Sequence, residues 1–109
     1  MSRLYGFVNT DLEDARGIVE AVTGRRLAPH ESFYHGGDYY RLREGDAELI
    51  LQRNYDCLDD DLAESEFPDA DVLIYLAGGE LAEEIAEKLR SAAPRAKLLR
   101  HLNYSSQGG

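Results

Sequence analysis

The chain of 109 residues has a single cysteine, Cys57, and no Lys or Arg between Arg53 and Lys88. One cysteine excludes an intrachain disulfide and fits a reducing compartment. No apolar stretch approaches the ~20 residues of a membrane span, and the first residues lack the apolar run of a secretory signal. These absences predict a cytoplasmic protein that does not contact a membrane.

Positive charge is scarce overall, with 12 Lys and Arg against 21 Asp and Glu and a formal net charge of −9. Because phosphate contacts need clustered cations, we do not expect a nucleic-acid partner. The charge suits a basic partner, or solubility alone. Hydrophobic residues make up 43% of the chain, which is enough for the core of one compact domain.

An acidic segment, residues 55–71, lies between two apolar runs that are typical of strands, residues 49–53 and 72–76. Because like charges repel, such a segment costs the fold stability. It is either a solvated connection or an interaction surface, and its composition alone does not decide between them. Eight of its seventeen residues are acids and none is basic; the acids are Asp56, Asp59, Asp60, Asp61, Glu64, Glu66, Asp69 and Asp71.

Two amphipathic helices are indicated by apolar residues at helical spacing. The first spans residues 11–23, with a capping box formed by Thr10 and Glu13 and with Gly24 ending it. The second follows Gly79 and has acids in its first turns and cations near its end, as the helix dipole favours. Its apolar stripe consists of Leu81, Ala82, Ile85, Ala86 and Leu89.

The strands and helices predict an α+β fold with the order β-α-β-β-β-α-β. We expect a single mixed β-sheet with the two helices packed on one face, in which the last β-α-β unit has parallel strands. Residues 25–31 are predicted to form a loop. One domain covers residues 1–104, and residues 105–109 form a flexible tail. The predicted strands are residues 4–8, 39–43, 47–52, 72–76 and 96–102.

No catalytic or metal-binding pattern is recognisable. The histidines and Cys57 lack the close pairs of structural zinc sites, and the aspartates lack the spacing and glycine of a calcium loop. Neighbouring acids disfavour the thiolate of Cys57, which opposes a role as nucleophile. The glycine pairs at residues 36–37 and 78–79 fit turns better than phosphate loops. The sequence therefore predicts no metal, no cofactor and no enzymatic activity.

Aromatic side chains surround the acidic segment in the sequence. Tyr39 and Tyr40 alternate along a predicted strand, so they face opposite sides of the sheet and at least one belongs to the core. Phe33, Tyr34 and Tyr55 lie nearby. Exposed tyrosine beside carboxylates is typical of protein-binding surfaces, and half-buried tyrosine is equally typical of an ordinary sheet.

Four features of the chain carry a family resemblance: the run at residues 36–40 (GGDYY), the strand at residues 48–54 (ELILQRN), the acids that end in Glu66-Phe67-Pro68, and the apolar strand after them. In these features the chain resembles small immunity proteins of bacterial polymorphic-toxin and contact-dependent inhibition systems. The resemblance covers roughly residues 10–90. It implies a cytoplasmic protein that binds a cognate toxin domain, for example a nuclease with a basic cleft, and blocks its active site. The residues predicted to contact the toxin are Tyr40, Tyr55, Asp56, Asp59, Asp60, Asp61, Glu64 and Glu66.

The β-α-β-β-β part of the order is also similar to one module of the glyoxalase-like, vicinal-oxygen-chelate fold. That resemblance implies a dimeric domain that binds a small molecule or catalyses a metal-dependent reaction. Residues 4–9 contain no His or carboxylate that could serve as a metal ligand, which departs from the family pattern. The two resemblances thus give an inhibitory binding protein as the first hypothesis and a small-molecule-binding or enzymatic domain as its alternative.

Overall fold

The computed structural model describes residues 2–32, 37–92 and 95–102. Three predicted features lie outside the described residues: the tail at residues 105–109, the aromatic pair Phe33 and Tyr34, and Gly36 of the first glycine pair. The elements are β1 (Ser2–Phe7), α1 (Leu12–Thr23), β2 (Ala28–Ser32), β3 (Gly37–Glu44), β4 (Ala47–Arg53), β5 (Val72–Ala77), α2 (Glu80–Leu89), a 3-10 turn (Arg90–Ala92) and β6 (Ala96–Leu102).

The described strands form one six-stranded sheet in the order β2-β3-β4-β5-β1-β6, and the α+β class and the predicted succession of elements are confirmed. The structure adds β2, where we predicted a loop. Residues 28–31 of this strand are all exposed, so it lacks the apolar alternation that marks a buried strand. It joins the sheet at an edge through backbone pairing with β3.

The prediction of a mixed sheet is wrong, because every pairing among the described strands is antiparallel. The prediction that the two strands of the last β-α-β unit are parallel is confirmed, but these strands do not pair with each other. Strand β1 inserts between β5 and β6 and pairs antiparallel with both. The two strands that flank α2 therefore run in the same direction without touching each other.

Both helices pack on one face of the sheet, where the main core lies. Val19 of α1 and Ile85 and Leu89 of α2 are fully buried against Leu49 of β4 and Ile74 of β5. Gly24 ends α1 with φ 68°, as predicted. At the other end, the predicted capping box is wrong: the side chain of Asp11 accepts the amide of Asp14 instead.

The strands on either side of the acidic segment, β4 and β5, are the two central strands of the sheet. The prediction that β5 is covered on both faces is confirmed, because Leu73 on one face is as fully buried as Ile74 on the other. Among the described residues, no helix has the length and apolar character to cross a membrane.

Candidate functional site

The acidic segment, residues 55–71, folds back over the sheet face that the helices leave free. Its Ala63, Phe67 and Ala70 form a second, smaller core with Leu4 of β1 and Leu73 of β5. Burial of apolar side chains stabilises such a contact by roughly 25 cal/mol per Å². The segment is therefore packed on its underside, and the simple solvated connection considered for it does not describe this part.

Asn54, directly after β4, links separate parts of the acidic segment through side-chain hydrogen bonds. The Asn54 side chain is 5% exposed, and its Oδ1 accepts the Glu64 amide at 2.8 Å. Its Nδ2 donates to the carbonyl oxygens of Phe67 at 3.1 Å and Ala70 at 3.0 Å. One buried amide thus satisfies three backbone groups that would otherwise lack partners. This network closes residues 54–70 into a compact loop.

Glu64 ties the same loop to the sheet. Its carboxylate accepts the Tyr75 hydroxyl at 2.6 Å and a guanidinium N–H of Arg100 at 3.3 Å, and its side chain is only 17% exposed. Burial, followed by the bond to Glu64, raises the pKa of Tyr75, so the phenol keeps its proton. The β1–β6 register shifts so that Leu99 has no partner in β1. Leu99 packs near Gly6, and this bulge directs both Leu99 and Arg100 towards the loop.

Residues 56–61, here called the tip, form a closed turn at the outer end of the loop. The Asp56 amide donates to the Asp61 carbonyl at 2.7 Å, and the reverse bond is 3.4 Å long. Asp56 Oδ1 accepts the amides of Leu58 at 2.9 Å and Asp59 at 3.3 Å. Asp60 has φ 52°, a left-handed conformation that Asp tolerates better than most residues. These bonds hold four carboxylates together in one turn.

The tip also exposes apolar surface. The Leu58 side chain is 66% exposed, the largest exposed fraction among the described large hydrophobic residues, and Tyr55 is 38% exposed. The Tyr55 hydroxyl donates to Asp60 Oδ1 at 2.6 Å, and this bond raises the pKa of Tyr55. Apolar side chains in the same turn as four carboxylates have the composition of an interface anchor with a polar rim.

A cavity of about 370 Å³ lies between the tip and the open part of the sheet. Ile50 and Gln52 of β4 and Tyr75 of β5 form its floor, and Tyr55 and Leu58 form its outer wall. Asp56 contributes a carboxylate at the same place. The cavity combines apolar walls with a negative rim, which suits the aliphatic stem and charged end of a Lys or Arg side chain.

The structure brings together five of the eight residues predicted to contact a partner, and these are Tyr55, Asp56, Asp59, Asp60 and Asp61. The three others lie elsewhere. Glu64 is turned towards the sheet, and the exposed Glu66 lines a separate surface depression with Phe67 and Lys97.

Tyr40 lies on the helix side of the sheet, on the face opposite the tip. Its hydroxyl donates to the carboxylate of Glu13 in α1, and the Arg16 guanidinium carbon lies 5.2 Å from the centroid of its ring. The bond to Glu13 raises the pKa of Tyr40 and lowers that of Glu13. These contacts connect α1 to β3, so the position of Tyr40 has a structural explanation.

Sequence reasoning missed Leu58 and Asn54. Leu58 carried a readable signal, because an apolar residue directly before three aspartates in a predicted loop has no obvious core to join. Asn54 carried none, since its role depends on loop carbonyls that lie 13 and 16 residues further along the chain.

Among the described residues, no three His, Cys, Asp or Glu side chains are arranged so that they could hold a metal ion. Comparison with protein-family models, with curated protein sequences and with solved structures returns no match for this chain. The interpretation of the site therefore depends on its geometry and charge.

Proposed function

We propose that this protein is an inhibitory binding protein, an immunity protein that neutralises a toxin domain by placing its acidic tip in a basic cleft. The observation that carries the proposal is Leu58, which is 66% exposed at the apex of a turn whose ends are bonded to each other. Together with Tyr55, which is 38% exposed, Leu58 gives the tip apolar surface beside its carboxylates, and this is the composition of an interface anchor with a polar rim.

The arrangement suits a two-step association. Carboxylates at the rim attract a positive surface over several ångströms and orient it, which acts mainly on the association rate. Leu58 and Tyr55 then enter an apolar part of the cleft, which acts mainly on the dissociation rate. Because the tip is closed by its own hydrogen bonds, binding orders few additional residues, and less conformational entropy is lost.

The first experiment identifies the partner. The reading frame immediately upstream of this one is expressed in a bacterial host, with and without this protein, and growth is measured. We expect growth arrest by the upstream product alone and recovery on co-expression. An upstream product that is harmless, or that arrests growth equally in both cultures, contradicts the proposal.

Kinetics with that partner test the role of the tip. The triple variant Asp59→Asn, Asp60→Asn, Asp61→Asn should associate more slowly than the wild type at low salt, and the two rates should converge as salt rises to ~0.5 M because charges are then screened. Asn keeps an acceptor oxygen for the bonds that Asp60 and Asp61 make. If the two curves coincide at all salt concentrations, the tip carboxylates do not steer association.

A control variant removes the same charge from α2 and β2, through Glu31→Gln, Glu80→Gln and Glu84→Gln, which are exposed positions outside the acidic segment. It should change the association rate much less than the tip variant. Leu58→Ala should instead raise the dissociation rate about fivefold or more, since an anchor residue contributes more than ~1 kcal/mol. If the control and tip variants change the association rate equally, the rate depends on net charge alone and the tip is not a specific binding site.

The glyoxalase-like alternative stays a prediction. A metal ion or small molecule that copurifies with the protein, sought by elemental analysis and native mass spectrometry, would favour that alternative over a toxin inhibitor.

A further inference from the structure

A second surface of opposite character lies at the β6 edge of the sheet. Among the described strands, β6 pairs with β1 alone and forms one border of the sheet. The strand at the other border, β2, contains Pro29, which has no amide hydrogen to offer. Strand β6, Ala96–Leu102, contains no proline. No proline blocks its outer edge, and the bulge at Leu99 divides that edge into two short parts whose backbone groups can pair with another strand.

A groove of about 840 Å³ runs beside this edge, between β6 and α2. Its floor is apolar and includes Tyr5 of β1, Ala86 and Leu89 of α2, and Ala96. Leu98 borders the groove and is 48% exposed, so apolar surface continues from the groove to the strand edge. A strand added to β6 would direct alternate side chains to the helix side, where the groove lies.

The charge of the groove is opposite to that of the tip. Lys97 and His101 of β6 line it, and no carboxylate in the described part of the chain forms an ion pair with either. The two acids of the groove, Glu83 and Glu87, each lie within 3.0 Å of an arginine of the same groove. The groove thus has three cationic side chains, Arg3, Arg90 and Lys97, against two carboxylates, and at physiological ionic strength charges act over about 8 Å. Glu66 and Asp69 lie in the depression on the other side of Lys97 and do not line the groove.

These cations also decide between two possible occupants. A second copy of the chain, paired antiparallel through its own β6, would add its Lys97 and Arg100 to the same two cations of this edge, and β6 contains no acid that could offset them. Like charges across paired strands are destabilising, which opposes this dimer. An acidic strand meets the same residues with favourable charge. The positive charge that opposes pairing with a second copy therefore favours a negatively charged partner.

We propose that the β6 edge binds an extended acidic segment of another protein as an added strand, with one of its apolar side chains in the groove. This site goes beyond the proposed inhibitory function, because it uses the β6 edge and the groove beside α2 and needs neither the tip nor a toxin. It gives the protein a second partner, whose negative charge excludes it from the acidic tip.

Labelled octapeptides of known sequence test the site by fluorescence anisotropy. The first alternates Glu and Val; the second alternates Lys and Val; the third keeps the glutamates but replaces two valines with proline. We expect the Glu–Val peptide to bind at least tenfold more tightly than both others, because only this peptide combines negative charge with a full set of strand amides. Equal binding of the acidic and basic peptides overturns the proposal.

Hydrogen exchange locates the bound peptide. The amides of residues 96–102 should exchange more slowly when the Glu–Val peptide is bound, and those of β2 should not change. Protection that appears elsewhere, or binding without any protection of β6, overturns strand addition at this edge.

Two matched pairs of variants complete the test. Lys97→Glu should weaken the Glu–Val peptide about tenfold, whereas Lys88→Glu, the same change at an exposed α2 position outside the groove, should have little effect. Leu98→Asp should abolish peptide binding and Leu58→Asp should leave it intact, with folding of all four variants checked by circular dichroism. Leu98→Ala provides a milder variant if Leu98→Asp does not fold. A dimer in sedimentation velocity that Leu98→Asp dissociates would show that a second copy occupies the edge, and it would refute the acidic partner.

Discussion

Replacement of the NH₂ group of Asn54 by an oxygen, in the variant Asn54→Asp, tests whether the Asn54 amide holds the acidic segment in place. Asn54→Asp keeps the shape of the side chain and the oxygen that accepts the Glu64 amide at 2.8 Å. It replaces the NH₂ group that donates to Phe67 and Ala70 at 3.1 and 3.0 Å by a second oxygen. That oxygen then faces two carbonyl oxygens in a site that is 5% exposed.

The expected loss follows from the hydrogen bonds that disappear. Each contributes about 1 kcal/mol net, and each buried acceptor left without a donor costs about 1–3 kcal/mol. We therefore expect Asn54→Asp to lower the free energy of unfolding by roughly 2–5 kcal/mol. Because small domains have a total stability of about 5–15 kcal/mol, the variant should still fold. The change should be greatest in residues 55–71, whose contacts depend on Asn54.

Urea unfolding measures the global effect and hydrogen exchange measures where it occurs. Asn9→Asp is the matched control, because it makes the same chemical and charge change at an exposed residue. Asn9 has φ 53°, a conformation that Asp also tolerates, so its replacement should alter stability by less than about 0.5 kcal/mol. If Asn54→Asp and Asn9→Asp are equally stable, or if exchange in residues 55–71 is unchanged, Asn54 does not hold the segment.

Three further predictions concern the fold. The pKa of Tyr75 is raised in the folded state, so its stabilising contribution is present below pH ~10 and is lost as pH rises further. Urea unfolding between pH ~9 and ~11.5 should therefore show wild type losing stability faster than Tyr75→Phe, by up to ~1.4 kcal/mol per pH unit, and parallel curves would contradict this. Ile85→Asp should unfold the protein because Ile85 is fully buried. Ile18→Asp should lower the melting temperature less, because Ile18 is partly exposed. A larger loss for Ile18→Asp would contradict the way in which the two helices pack on the sheet. Gly78→Ala should destabilise by more than ~1 kcal/mol, since φ is 136° and an added methyl group would overlap the Asp46 carbonyl oxygen, and a thermal melt equal to that of wild type would exclude this overlap.

The parts of the fold that a core requires could be predicted from the sequence. The apolar stripe that includes Val19 and the one that includes Ile85 show helical spacing, and both stripes are buried as expected. The run at residues 72–76 has no polar alternation, and it forms a central strand covered on both sides. Such patterns are readable because burial acts on each residue of the element.

Strand β2 and the sheet direction could not be predicted in this way. Residues 28–31 of β2 are exposed, so no burial pattern marks them, and their strand geometry comes from backbone bonds to β3. The antiparallel sheet depends on β1 lying between β5 and β6, which is a matter of long-range pairing. Neither feature is encoded in the period of a local stretch.

The candidate site was predictable in position but not in detail. The charge pattern located the acidic segment, and the tip lies within it. The sequence did not show whether Tyr40 belongs to the site. Tyr39 and Tyr40 are adjacent in one strand, and the sequence does not tell which of them faces the helices. The sheet places Tyr40 against α1 on the helix side and Tyr55 beside Asp60 on the other.

Two groups of acids in the segment have different physical roles, and this difference limits what charge alone can indicate. Glu64 accepts bonds from Tyr75 and Arg100, and Asp71 accepts the amide of Thr10, so both carboxylates serve the fold. Asp59, Asp60 and Asp61 of the tip are exposed and repel one another, although one oxygen of Asp60 accepts the Tyr55 hydroxyl. Repulsion between exposed charges in a turn lowers stability, and it persists here in a turn closed by backbone bonds. Asn at these three positions could accept the same bonds without this repulsion, so the connection between β4 and β5 does not require their charge. This consideration favours the tip over the rest of the segment as the surface that meets a partner.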